Sequence, residues 1–192
     1  MRVRPLFAAF VLPLSLALTS CGDSDSVTEP QDDHEHEAIT SVILTVVDSA
    51  TGKAVDTVLF VDADGEGGKD PVPPDTLRLG TGRVYHASVR FLDESNPSDV
   101  HDLNEEIGGS ESDDHRVLWI PSSGALSATV TDKDSKGLLL GLKASIKTSS
   151  SAGRAVLRVN LRHLPGIKTA NSGLADGETD ADVEFPVAIK GS

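Results

Sequence analysis

Two short tracts set imidazoles among carboxylates: His34-Glu35-His36-Glu37 and Asp113-Asp114-His115. Neutral imidazole with carboxylate is ordinary ligation for zinc and other first-row ions. In an extended segment His34 and His36 face one side, as paired i, i+2 ligands with Glu35 and Glu37 beside them. The expected metal set is therefore His34, Glu35, His36 and Glu37, supplemented by Asp113 and His115, with zinc as the candidate ion. The same residues also describe a solvated acidic tether with no specific ligand. A second tract, Asp62-Ala63-Asp64-Gly65-Glu66-Gly67-Gly68-Lys69-Asp70, places Asp62, Asp64, Glu66 and Asp70 at the oxygen positions that open a calcium loop. Its twelfth position is Pro73 where a bidentate glutamate belongs, so an ordinary turn is the better reading. Ser, His and Asp all occur, but no nucleophile elbow, zincin helix or phosphate loop does, and the expectation is a protein that is not an enzyme.

The one cysteine, Cys21, has its own chemistry. Arg2 and Arg4 form a positive start, Leu6 to Leu18 an apolar run broken by Pro13, and Leu18-Thr19-Ser20-Cys21 closes it. The run is too short to span a bilayer comfortably. Together these parts resemble the signal and lipobox of bacterial lipoproteins, in which the cysteine thiol carries the lipid as a thioether and becomes the new N-terminus. That resemblance implies a signal peptide over residues 1–20, acylation of Cys21, and an anchor of two or three chains at roughly 0.8 kcal/mol per buried methylene. Gly22, rather than aspartate, follows the cysteine. In proteobacterial lipoproteins that permits transport to the outer membrane, so the expected place is the outer membrane, facing the periplasm or the cell surface.

Charge narrows the partners. The chain carries 17 basic and 30 acidic residues, a net −13, and losing Arg2 and Arg4 with the signal takes it to −15. Such a balance argues against nucleic acid and against anionic membrane surfaces. With Cys21 lipidated, the mature chain has no thiol for a disulfide. Residues 21–37 include one aliphatic residue, Val27, and cannot bury enough surface to offset ordering, so a flexible tether is expected.

The elements that must position any folded ligand begin after this tether. Val42, Leu44 and Val46 alternate with Ile43, Thr45 and Val47. The same period recurs at Leu59 and Val61, at Leu77 and Leu79, at Tyr85 to Phe91, at Val117 and Trp119, and at Leu126 to Val130. Further runs follow at Leu138 to Ile146, Ala155 to Leu161 and Val183 to Ile189. Period two with β-branched enrichment predicts strands, and Gly, Asp, Ser and Pro clusters separate them at sandwich spacing. Asp132 to Gly137 reads as a hairpin turn joining the Leu126 run to the Leu138 run. Pro186 lacks a ladder donor, which predicts an edge strand. Ser127 and Ser145 alternate as outward-facing sheet residues. One segment departs from period two: Ser98 is a good N-cap, and Val100, Leu103 and Ile107 recur at helical spacing, predicting an acidic helix over 98–107. The expected fold class is all-β: an antiparallel immunoglobulin-like sandwich of seven to nine strands over residues 38–192, with one short acidic helix. With so few aromatics its core must be mostly aliphatic.

The succession AITSVILTVVD, VLFVDADGEGG, VYHASVRFLDES, SESDDH, LSATVTDKDSKG, VLRVNLRHLP and GETDADVEFPVAI resembles a family of small Bacteroidota lipoproteins, over about residues 38 to 190. Its members carry an Asp-Gly turn, a glutamate-rich helix ending in Asp-Glu-His and a late Leu-Arg-His, and are often labelled as having a type 1 periplasmic-binding fold. That label implies alternating helices and parallel strands, whereas one helix here points to a sandwich. The resemblance carries no catalytic residue. Two function classes follow from the sequence. One is a lipid-anchored envelope binding module that captures divalent metal beside an outer-membrane transporter. The other is a structural or adhesive envelope lipoprotein that binds protein or glycan.

Overall fold

A computed structural model describes residues 38–64 and 68–191. It contains ten strands and one short helix: β1 Ser41–Asp48, β2 Ala54–Val61, β3 Leu77–Gly80, β4 Val84–Asp93, β5 His101–Asp102, α1 Asn104–Ile107, β6 His115–Pro121, β7 Leu126–Val130, β8 Lys143–Thr148, β9 Gly153–His163 and β10 Glu178–Lys190. They form two sheets packed as an all-β sandwich. The first sheet runs β2-β1-β4-β8-β7, with β5 paired to β4, and the second runs β3-β10-β9-β6. The pairs are antiparallel except β3 with β10, which is parallel, so the second sheet is mixed rather than wholly antiparallel.

Alternation is what closes the core. Val42, Leu44, Val46, Tyr85, Ala87, Val89, Phe91, Ala144 and Ile146 turn inward from the first sheet. Val117, Trp119, Leu157, Val159, Leu161, Val183, Phe185, Val187 and Ile189 meet them from the second. Phe91 and Phe185 are the largest fully buried side chains, and the rest of the interior is largely aliphatic. Burying such side chains contributes roughly 1.5–3 kcal/mol each, the main term holding the sheets together.

The helix is shorter than its periodicity predicts, and Ser98 does not cap it: α1 begins at Asn104 with Leu103 preceding it. Pairing with β4 has claimed the upstream backbone. His101 and Asp102 lie opposite Asp93 and Leu92, and Leu103 N–H bonds to Phe91 C=O at 3.1 Å. Val100, expected on the apolar stripe, is half exposed, while Leu103 and Ile107 are buried.

Leu138 to Leu142, expected as the partner strand of β7, instead bridges the two sheets. Leu140 C=O accepts from Val117 N–H at 2.7 Å on the second sheet, and Leu142 C=O accepts from Val89 N–H at 3.1 Å on the first. Gly141 between them has φ of 96°, and a side chain there would collide with the Val117 carbonyl oxygen. Only glycine fits this crossing. The strand paired to β7 begins at Lys143.

Pro186 is not on an edge strand, since β10 lies between β3 and β9. Its position still obeys the rule it was read from. Opposite it, Val156 turns both backbone groups toward Ser122, away from β10. Val156 and Pro186 are therefore a non-hydrogen-bonded pair, and the missing proline donor faces the β3 side. The β3 ladder starts only at Val187. Pro186 thus sits one residue short of the pairing its ring would disrupt.

Candidate functional site

The sequence-expected ligands separate in the folded domain. His34, Glu35, His36 and Glu37, like Cys21, lie outside the described residues, as does Glu66 of the calcium-like turn. Asp64 there accepts the Lys69 N–H at 3.1 Å, an ordinary turn bond. Asp113 is held by the Ser135 hydroxyl, 2.8 and 2.9 Å from its two oxygens, with Lys136 Nζ at 3.4 Å. These contacts, the Ser135 hydroxyl foremost, keep its carboxyl below the usual carboxylate range despite partial desolvation. His115 points elsewhere. The expected pairing of Asp113 with His115 as joint metal ligands is therefore not formed. Among the described residues, no group of three or more His, Cys, Asp or Glu side chains is arranged to hold a metal ion.

What His115 joins instead is a buried network at one end of the core. His115 and His163 are a cross-strand pair between β6 and β9. Val117 N–H points away from β9, so the residues two before and two after it also form non-hydrogen-bonded pairs, in which side chains stand closest. The two imidazoles accordingly stack, with centroids 4.8 Å apart and planes 14° from parallel. Asp180 reaches them because β10 bulges between Thr179 and Ala181, giving an extra residue that re-aims its side chain. His115 Nδ1 lies 3.1 Å from Glu111 C=O, and Nε2 lies 3.5 Å from Asp180 Oδ2. Both ring nitrogens thus face acceptors, an arrangement only the doubly protonated ring satisfies. Burial pushes the imidazole toward neutrality, but Asp180 and the Glu111 carbonyl outweigh it and raise its pKa above the usual histidine value.

A second buried charge pair ties the long loops to this end. Lys168 Nζ, on the β9–β10 loop, lies 2.6 Å from Asp134 Oδ2 on the β7–β8 connection and donates to Ser112 C=O at 2.7 Å. The lysine side chain is 2% exposed and the aspartate side chain 0%. Burial alone would raise the Asp134 carboxyl. The Lys168 ammonium and the amides of Leu138 and Lys136 more than offset that, holding it below the usual carboxylate range. Both networks are internal, and their chemistry is structural. An apolar cleft of about 550 Å³ opens where β6 and β7 diverge, lined by Trp119, Ala128, Val130, Leu139 and Leu174, with Arg116 its only charged group.

The accessible surface with a distinctive composition is the outer face of the first sheet. Register places its residues in rows across the strands. Thr57, Thr45, Ser88 and Lys143 lie in one row across β2, β1, β4 and β8. Val47, His86, Ser145 and Thr129 lie in the next, and Val84, Lys147 and Ser127 in a third. His86, Lys143, Lys147 and Ser127 are exposed, and Ser145 is half-buried. Over these rows the face bears His86, Lys143 and Lys147 and no carboxylate, in a chain of net −13. One row away Arg90 is matched by Asp102, 2.7 Å from its guanidinium. Beside the cationic half, Val55 and Leu59 on the β2 edge are each 42% exposed. On the second sheet's outer face Arg158 is clamped by Asp182 at 2.7 Å, and Arg162 donates to the carbonyls of Asp176 and Gly177, while Arg154 and Lys190 stand exposed toward its other end.

Ser127 and Ser145 were expected outside and are there. The lysines beside them carried no motif; only the strand register brings Lys143, His86 and Lys147 together. No protein-family model matches the chain, and no curated protein matches it either.

Proposed function

We propose that this protein is a lipid-anchored module of the bacterial envelope that binds a macromolecular partner, protein or glycan, on the outer face of its first sheet. The anchor is Cys21, supported by the apolar run and small residues that precede it. Outer-membrane placement follows from Gly22. The observation that carries the binding role is charge segregation: an acidic chain keeps three adjacent rows of one sheet face free of carboxylates while leaving Lys143, Lys147 and His86 without ion pairs among the described residues. Within residues 38–192, where 23 acidic residues stand against 15 basic ones, random placement would favour the reverse. Zinc capture beside an outer-membrane transporter is the other reading of the same anchor, and it would rest on His34, Glu35, His36 and Glu37.

The test is retention of the mature chain, carrying Cys21→Ser so that no lipid holds it, on isolated envelopes stripped of their own copy. Lys143→Glu/Lys147→Glu should lose retention, and Glu184→Lys on the opposite sheet should keep it. Equal retention of all three proteins would contradict the docking face.

A further inference from the structure

We infer that the partner of this face is an anionic polysaccharide, an inference that rests on the docking reading above and names its ligand. Four features of the face select this class. Lys143 and Lys147 stand four residues apart on β8, so their Cα atoms are roughly 13 Å apart at ~3.3 Å per residue. At that separation, with Ser145 between them, the two ammoniums can meet successive acid groups along an extended ligand. Between and around them lie hydroxyls from five strands: Thr45, Thr57, Ser88, Ser127, Thr129 and Ser145. Short hydroxyl side chains on a sheet leave an open, shallow surface that can exchange hydrogen bonds with sugar hydroxyls.

The third feature is composition. Protein–protein interface cores are depleted in Lys and Ser and enriched in Tyr, Trp, Phe and Arg. This half of the face has the depleted types and lacks Tyr, Trp and Phe, since Tyr85 and Phe91 of β4 turn inward and Phe60 of β2 packs against the core. The same lack of aromatics removes the stacking platform that single-stranded nucleic acid uses. The fourth is reach. Screening at physiological salt confines electrostatics to about 8 Å, so a polyanion on this face meets its local cations more than the distant net charge. An acidic polymer can therefore bind an acidic protein here, and binding must weaken steeply as salt rises.

Affinity electrophoresis and calorimetry on the whole mature chain test the inference, with polygalacturonate as a carboxylated probe, dextran sulfate as a sulfated one and neutral dextran as the control. Retardation by at least one acidic polymer and not by dextran is expected. Lys143→Ala/Lys147→Ala should weaken binding roughly tenfold, as two surface ion pairs imply, and should lower its salt slope. Lys136→Ala, an exposed lysine elsewhere, should bind as the parent does. Both variants are surface changes, and unchanged melting confirms that folding is not at issue. Binding of neither acidic polymer, or equal binding by the parent and the double variant, overturns the inference. If envelope retention still depends on Lys143 and Lys147 in that case, the docking face stands and its partner is an acidic protein.

Discussion

Replacing Lys168 by methionine should cost this domain a large share of its stability. The substitution keeps the length and apolar stem of the side chain but removes the ammonium 2.6 Å from Asp134. Asp134 is then a carboxylate with a fully buried side chain, holding only the two amide donors of Leu138 and Lys136. Removing one partner of a buried pair costs about 3–5 kcal/mol, because the remaining charge has neither solvent nor counter-ion. For a domain of this size that corresponds to a fall in Tm of about 6–20 °C. Urea unfolding and calorimetry of the mature chain at neutral pH measure it. The second substitution isolates the cause. Lys168→Met/Asp134→Asn removes the charge while keeping an oxygen for Leu138 and Lys136, and most of the loss should return. Acid gives an independent sign. The Asp134 pKa is depressed in the folded state, so its contribution is present above the ordinary carboxylate range and lost as pH falls through the folded value. The single variant should therefore lose less stability than the parent on acidification. A single variant within about 1 kcal/mol of the parent, or a double variant no better than the single, would refute the reasoning.

Further outcomes follow from the same geometry. The folded-state pKa of His115 is raised, so its contribution is fully present below about 6.5 and fades as pH rises through the folded value; His115→Gln should flatten that part of the Tm profile. Gly141→Ala places a Cβ against the Val117 carbonyl at positive φ and should destabilise by on the order of 2 kcal/mol or more, read by urea midpoint. Cys21→Ser should move the protein from the detergent phase to the aqueous phase in phase separation; unchanged partition would remove the lipid anchor. Any zinc affinity found by calorimetry should vanish in His34→Ala/His36→Ala and persist in Asp113→Asn, because Asp113 already serves Ser135 and Lys136.

Most of the sandwich was legible because a half-buried strand writes its faces into alternate residues, as β1 does with Val42, Leu44 and Val46 against Ile43, Thr45 and Val47. What alternation cannot encode is where pairing stops. Leu138, Leu140 and Leu142 have strand period, yet the segment crosses between sheets, because Gly141 lets its backbone press against β6. Val100 and Ile107 have helical spacing, yet β4 had an open edge for His101 and Asp102, and sheet pairing overrode the weak helix propensity of a segment containing Asp and His. Pro186 lacks a donor as read and lies on the last strand as read, but that strand is central rather than an edge, and the short β3 makes a local edge beside it. The site was less legible than the fold. Carboxylates beside histidines attract attention in a sequence, but Asp113 and His115 serve different partners. Lys143 and Lys147 look like ordinary surface lysines until the register of β4 against β8 sets His86 and Ser145 between them.

The central claim is that the outer face of the first sheet binds the partner, and amide chemical-shift mapping of the labelled mature chain during titration with polygalacturonate tests it most directly. Shifts should gather on Thr45, Thr57, His86, Ser88, Lys143, Ser145 and Lys147 and leave Arg158, Arg162 and Glu184 unmoved. Shifts centred on β6, β9 and β10, or none on β4 and β8 at saturating polymer, would contradict it.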